Sequence, residues 1–243
     1  VPLIDTHCHI DLYNQPQLLL QECERLNITV LAMTNLPSHF EMGFPHVRPF
    51  NKVRLALGMH PLYAEQHKKE FPSFLRNFGR TSYIGEIGLD FSREGYHTRE
   101  IQIQTFSKIL DLVSSSKKVL SIHSRRAEKE VLDLLIGKGV SSAIFHWYSG
   151  PLSLIESIAS AGFFSINSAM TKSENGQKII SRIDPQKILT ETDGPFNEVN
   201  GRPAKPSDVI EVYKYLSNIW GKTMEETQAT ISSNFSKLIS YLK

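Results

Sequence analysis

A chain of 243 residues with 40% hydrophobic and 21% charged side chains can bury a sizeable core, as one α/β barrel or as two small domains. Its formal charge of +2 allows a phosphate-rich partner without demanding one, and no apolar run approaches the ~18 residues that a membrane span needs. The two cysteines, Cys8 and Cys23, give no disulfide framework, and the opening residues lack the basic and then apolar pattern of a secretory leader, so the expected location is cytoplasmic.

The opening Leu3-Ile4-Asp5-Thr6-His7-Cys8-His9 reads as a short strand that runs into two histidines. Strand side chains alternate with period two, so His7 and His9 share a face with Asp5 while Cys8 points the other way. Two imidazoles on one face can hold a metal ion, and Asp5, one layer deeper, is placed to accept the ring N–H of a ligand histidine. Residues 15–26 carry apolar side chains near helical spacing, and residues 28–33 form a β-branched strand, with Pro37 in the loop after it. A third strand spans 53–57 and leads into Gly58-Met59-His60-Pro61, followed by a short helix over 71–78. The fourth strand, 83–87, bears Gly85-Glu86-Ile87-Gly88-Leu89-Asp90, and a long helix follows with Phe106, Ile109, Leu110 and Val113 on one stripe. The fifth strand, 119–122, ends in His123-Ser124-Arg125 and is followed by a helix at 131–136. The sixth, 143–145, ends in His146-Trp147-Tyr148, with Pro151 expected in the first turn of the next helix. The seventh spans 163–166; Thr171 and Glu174 have capping-box spacing before a helix that reaches Ile183. The eighth, 187–191, ends in Thr192-Asp193-Gly194-Pro195, and the rest, from Pro206, reads as helical with a second capping box at Thr223 and Glu226.

Eight strands alternating with helices, with no linker or repeat between them, predict one domain over residues 1–243, a (β/α)₈ TIM barrel. A doubly wound open sheet would want a glycine-rich phosphate loop after its first strand, where this chain has His-Cys-His. His7, His9, Glu86, His123, His146 and Asp193 all fall at or just beyond the C-terminal ends of predicted strands, the face on which barrels place their chemistry. Taken singly, each such histidine is more often a satisfied loop or core residue than a ligand. Their joint placement at strand ends of one phase is what points to a metal centre. Six ligands exceed the needs of one tetrahedral ion, a carboxylate can bridge two, and Glu86 stands mid-series as the natural bridge. Glu191, one layer below Asp193, is expected to back the site as Asp5 does.

These motifs carry a resemblance. Asp-Thr-His-Cys-His-Ile-Asp, Gly-Met-His-Pro, Gly-Glu-Ile-Gly-Leu-Asp, Ile-His-Ser-Arg, Phe-His-x-x-Ser-Gly and Thr-Glu-Thr-Asp-Gly-Pro, in this order from Ile4 to about Asn234, are similar to the TatD family of metal-dependent deoxyribonucleases within the amidohydrolase-like barrels. The resemblance implies two divalent metal ions per chain, zinc, magnesium or manganese. His7, His9, Glu86 and Asp193 would hold one; Glu86, His123 and His146 would hold the other. Many amidohydrolases bridge their metals with a modified lysine after the fourth strand; Glu86 at that place favours the TatD branch. Arg126, the Trp147-Tyr148 pair and the stretch 201–206 depart from the commoner family form. Trp147-Tyr148 and the opening stretch resemble more narrowly the TatD-like component of bacterial Qat anti-phage systems, which would bring protein partners in a defence complex.

The implied chemistry is hydrolysis of DNA phosphodiesters, trimming single-stranded 3′ ends, with Asp193 as a carboxylate that takes a proton from the attacking water and Glu86 as the bridge. His60 and Arg125 are expected at the rim, neutralising phosphate oxygens, and Tyr63, Trp147 and Tyr148 could stack on unpaired bases. Two other classes fit parts of the pattern: a metal-dependent hydrolase of a small amide, ester or lactone, and a barrel scaffold or binding subunit. The basic rim argues against the first and the complete ligand set against the second.

Overall fold

The computed structural model describes residues 2–243. Eight parallel strands run in sequence order: β1 (Leu3–Cys8), β2 (Ile28–Ala32), β3 (Val53–Leu55), β4 (Tyr83–Gly88), β5 (Val119–His123), β6 (Ala143–His146), β7 (Gly162–Ile166) and β8 (Ile188–Thr190). Ladders join β1-β2-β3 and β4-β5-β6-β7-β8. The two arcs meet at Leu57, whose N–H donates to the Tyr83 carbonyl (3.0 Å) while its own carbonyl accepts from Gly85 N–H (3.0 Å). β8 returns to β1 through Thr6 Oγ1 to the Thr190 carbonyl (3.0 Å), Asp193 N–H to the His7 carbonyl (2.8 Å) and His9 N–H to the Gly194 carbonyl (2.8 Å). The sheet is thus closed, with no edge left to pair with another chain.

Period-two alternation sorts the strand residues into two cores. Ile28, Val30 and Ala32 of β2, Ala143 and Phe145 of β6 and Ile188 of β8 face outward and pack with helix residues such as Leu20, Phe40, Phe106 and Val131. Leu31, Met33, Ala56, Val119, Ile144, Phe163 and Leu189 face inward and fill the barrel, and Leu238 joins them. Both Cys8 and Cys23 are buried free thiols, and Cys8 faces outward as the alternation requires. β4 breaks the alternation: its pairing with β5 shifts between Ile84 and Ile87, so Glu86 reaches the site while Ile87 packs outside.

The helices follow the predicted order with local corrections. α1 (Pro16–Leu26) ends on Asn27 in the left-handed conformation, φ 56°. The stretch after β2 is a helix, α2 (Pro37–Val47), rather than a loop. Proline suits a first helical position, and burial of Phe40 and Val47 outweighs the interior Pro45. α3 (His67–Asn77) begins earlier than its apolar pattern, after a 3₁₀ turn over Pro61–Gln66. α4 (Arg99–Ser114) and α5 (Glu128–Gly137) match their stripes. Pro151 stands just before a 3₁₀ turn (Leu152–Leu154) that precedes α6 (Ile155–Ala161), not in a first α-helical turn. Two helices, α7 (Ser168–Lys172) and α8 (Glu174–Arg182), replace the single expected one. Thr171 lies inside α7, and the cap of α8 is Ser173, whose Oγ accepts from Gly176 N–H at 3.1 Å. A two-stranded hairpin, β9 (Glu198–Val199) and β10 (Arg202–Pro203), leads to α9 (Ile210–Trp220) and α10 (Met224–Ile239). The Thr223–Glu226 capping box is formed, with bonds of 2.8 and 3.2 Å. α10 covers the N-terminal end of the barrel, where Asn234 Nδ2 donates to the Ile188 carbonyl at 2.7 Å. No helix among the described residues is long and apolar enough to cross a membrane.

Candidate metal centre

His7, His9, Glu86, His123, His146 and Asp193 converge at the C-terminal end of the barrel, as their strand-end phase predicts. Glu86 is their hub. Its Oε2 faces His9 Nε2 (3.1 Å) and His7 Nε2 (3.4 Å), while its Oε1 faces His123 Nδ1 (2.7 Å) and His146 Nε2 (2.9 Å). Asp193 Oδ1 lies 3.6 Å from His7 Nε2 and 3.8 Å from His9 Nε2, on the Oε2 side. The donor atoms form three tight groups that could each hold an ion: His7, His9 and Glu86; His7, His146 and Asp193; and His60, Glu86 and His123. Imidazole nitrogens around shared carboxylates, at the inner end of a cavity of about 580 Å³, fit divalent cations.

His60 sits deeper than the rim. Its Nε2 is 3.2 Å from Glu86 Oε1, and its Nδ1 accepts from Leu62 N–H at 3.1 Å, so it belongs to the inner group. Arg125 does stand at the rim, exposed and 3.6 Å from Glu94, which partly offsets its charge. Asp5 does not meet an imidazole. Its carboxylate accepts from His7 N–H (3.2 Å), Thr192 N–H (3.0 Å) and Thr192 Oγ1 (2.5 Å), so it ties the β8 exit to β1. The partner of the His7 ring is instead Ser121 Oγ, 2.8 Å from Nδ1, which leaves Nε2 for the cluster. Glu191 lies behind the site as expected, with Oε1 3.7 Å from His146 Nδ1, and accepts from Trp147 N–H (3.1 Å) and Asn167 Nδ2 (2.9 Å). Trp147, whose N–H makes the first of these bonds, has φ 38°, a strained conformation for a bulky residue.

Sequence reasoning passed over Asp90. It accepts Ser92 N–H at 2.8 Å on Oδ1, and its Oδ2 is 2.7 Å from His123 Nε2, making a carboxylate–histidine pair behind Glu86. The Gly-Glu-Ile-Gly-Leu-Asp motif contains it, two residues beyond β4, but its role depends on His123 of the next strand. Phe196 was also missed. It is 60% exposed at the cavity mouth, its ring edge-on to His9 with centroids 5.1 Å apart, and Tyr63 and Trp147 line the same cavity. Tyr148 does not reach the mouth: it is buried in the outer core and donates its hydroxyl to the Pro151 carbonyl at 2.7 Å.

The Asp193 turn is fixed from both sides. Asp193 has φ 50°, and a Cβ on Gly194 would run into the Ala204 carbonyl and the Tyr13 hydroxyl. Stretch 201–206, which departs from the family form, therefore buttresses this turn: Ala204 N–H donates to the Asn197 carbonyl at 2.8 Å.

Electrostatics follow from packing acids against rings in a dry site. Burial alone would raise Glu86, but His60, His146 and His123 around it hold its carboxyl well below the usual range. Burial works against charge on His9, His123 and His146, yet the facing carboxylates push all three upward: Glu86 for His9 and His146, and Asp90 with Glu86 for His123. His7 is lowered by burial and by the His146 charge, and His60 by burial. Burial pushes Asp193 up, against the His146 and His9 charges that pull it down, and cations beside it would favour the carboxylate.

The whole chain matches known proteins. It is 26% identical to an uncharacterised metal-dependent hydrolase of Methanocaldococcus jannaschii, covering 98% of this chain and 96% of that one. It is equally 26% identical to the deoxyribonuclease TATDN3 of Homo sapiens, over 100% of this chain and 96% of the relative. A TatD family hydrolase of Entamoeba histolytica shares the fold with a TM-score of 0.83 at 17% identity, over 98% of this chain and 97% of the other. Residues 4–240 match the family described as TatD related DNase. The chain therefore belongs to the TatD related DNase family and is a metal-dependent hydrolase with that family's (β/α)₈ barrel.

Proposed function

We propose that the chain is a two-metal nuclease that hydrolyses DNA phosphodiesters and trims single-stranded 3′ ends. The observation that carries the two-metal reading is the division of Glu86, whose two oxygens face separate sets of imidazoles. On this reading His7, His9, Glu86 Oε2 and Asp193 would hold one ion. Glu86 Oε1, His123 and His146 would hold the other, and His60 faces the same Glu86 oxygen at 3.2 Å. Two such cations would supply Lewis-acid stabilisation of the phosphodiester and a water of lowered pKa. The chain's own residues do the rest. Asp193, locked in its turn, orients the attacking water and accepts its proton. Arg125 meets a phosphate oxygen at the rim. Tyr63, Trp147 and Phe196 offer ring faces to unpaired bases, a contact that tolerates any sequence.

The narrower likeness to a Qat component supports a role in phage defence with protein partners, although buried Tyr148 removes half of the pair that carries it. Phage plating with and without an Asp193→Asn chain tests that role. The nuclease reading is tested by metal analysis beside cleavage of a labelled single strand. The expected result is two ions per chain, with chelator-sensitive loss of nucleotides from a 3′ label and little action on blunt duplex. One ion per chain, or hydrolysis of small esters without DNA cleavage, would reject it.

A further inference from the structure

At the opposite end of the barrel, beside the N-terminal ends of β3 and β4, lies a concavity of about 400 Å³. Three arginines line it from three different elements: Arg48 at the end of α2, Arg54 in β3 and Arg80 in the turn before β4. No aspartate or glutamate lines it. Among the described residues, the arginines that do pair with carboxylates within 4.0 Å are Arg76, Arg99, Arg125 and Arg202, all elsewhere.

Two of the three guanidinium groups are held in place by neutral groups. Arg80 stacks over Phe44 at 4.3 Å and donates to Asn77 Oδ1 at 2.7 Å. Arg54 donates from Nη1 to the carbonyls of Phe50 (3.0 Å) and Val53 (3.1 Å). A guanidinium has five N–H donors, so each retains several for an anion, and Arg48 is uncommitted. Three exposed like charges around one hollow, with no acidic side chain lining it, make it electropositive and suit it to an anion. Phe50 and Tyr83 add aromatic rings to the same wall, and Asn51 and Ser82 add neutral polar side chains.

We infer that this hollow binds a nucleoside monophosphate, its phosphate dianion gripped by Arg48, Arg54 and Arg80 and its base against Phe50 or Tyr83. The volume suits a mononucleotide, and all three arginines line this one hollow together with two aromatic rings. The inference does not rest on the nuclease reading, because its readout is binding at a place remote from the metal centre.

The test uses the full chain and three probes: deoxyadenosine monophosphate, deoxyadenosine and inorganic phosphate, titrated by calorimetry. Photolabelling with 8-azido-deoxyadenosine monophosphate then maps the attached peptide. The nucleotide should bind, inorganic phosphate more weakly, and the nucleoside least; the label should fall on peptides with Phe50 or Tyr83. The exposed pair Arg48→Glu and Arg54→Glu should weaken this binding by about ten- to hundred-fold and abolish the label there, with unchanged melting temperature and metal content. Arg54→Gln should weaken it less. Label confined to the metal-centre peptides, unchanged affinity in the double variant, or nucleoside binding as tight as nucleotide would each overturn the inference. So would a selective loss of affinity for an oligonucleotide without terminal phosphates, which would mark the face as a strand contact.

Discussion

Asp193 and Asp90 show how single carboxylates with similar chemistry take different tasks from their surroundings. Asp193 is buried at a strand exit in a left-handed conformation that asparagine also accepts, so Asp193→Asn should fold normally and keep an oxygen ligand. It should also keep the ion at Glu86, His123 and His146, while single-turnover cleavage of a 3′-labelled strand falls by about 10²–10⁴, the usual worth of a positioned base. Near-normal cleavage would remove Asp193 from proton transfer. Asp90 works through another residue. Burial notwithstanding, the His123 ring and the Ser92 N–H hold its carboxyl down at about 2, so it is a permanent negative charge on the far side of a candidate ligand. Asp90→Asn keeps the contact to Ser92 but loses that charge, and metal affinity should fall by about 10–100-fold in a competition titration. An unchanged metal affinity would make the pair a packing feature only.

Between elements, the β9–β10 hairpin and the residues after it brace the exit of β8. Asp208 fixes their approach: Arg202 donates to both of its oxygens (2.7 and 2.8 Å), and the Lys205 N–H adds a bond of 2.9 Å. Burial would raise the Asp208 carboxyl, but these donors hold it below the usual carboxylate range. A group whose folded pKa is depressed stabilises the fold above its unfolded value, near 3.9, and that contribution is lost as pH falls through the lower folded value. Asp208→Asn should therefore cost more stability at pH 6 than at pH 3 in urea melts. An equal cost at both values would show that the charge on Asp208 contributes nothing to this brace.

For the molecule as a whole, closure of the barrel is what brings six side chains from five strands or their exits to one point. The C-terminal helix α10 takes part in that closure from the far end, where Leu238 completes the interior core of Leu31, Met33, Ile144 and Leu189. Leu238→Ala should destabilise the entire fold by about 2–5 kcal/mol, because it leaves a cavity between α10 and the interior core it covers. Denaturant unfolding checks the size, and coincident loss of metal and of secondary structure checks that site and fold unfold together.

Sequence alone determined what depends on local order. Short apolar and β-branched runs between helical stretches marked all eight strands, since such a run is a property of one stretch and needs no partner. Period-two alternation put His7 and His9 together and Cys8 outside, and position at strand ends found the six candidate ligands. The Thr223 cap was legible for the same reason: its donor and acceptor are three residues apart. The folded chain alone decided how those ligands share Glu86, because the β4 register shift turns its carboxylate toward both imidazole sets. It also drew His60 inward, put Asp90 behind His123 and set Asp5 on the Thr192 backbone, each through a contact between residues far apart in the chain or beyond a strand end. Helix α2 was hidden by Pro37 and Pro45, whose local signal says loop, and it is held by burial of Phe40 and Val47 in a core that exists only once the barrel is closed.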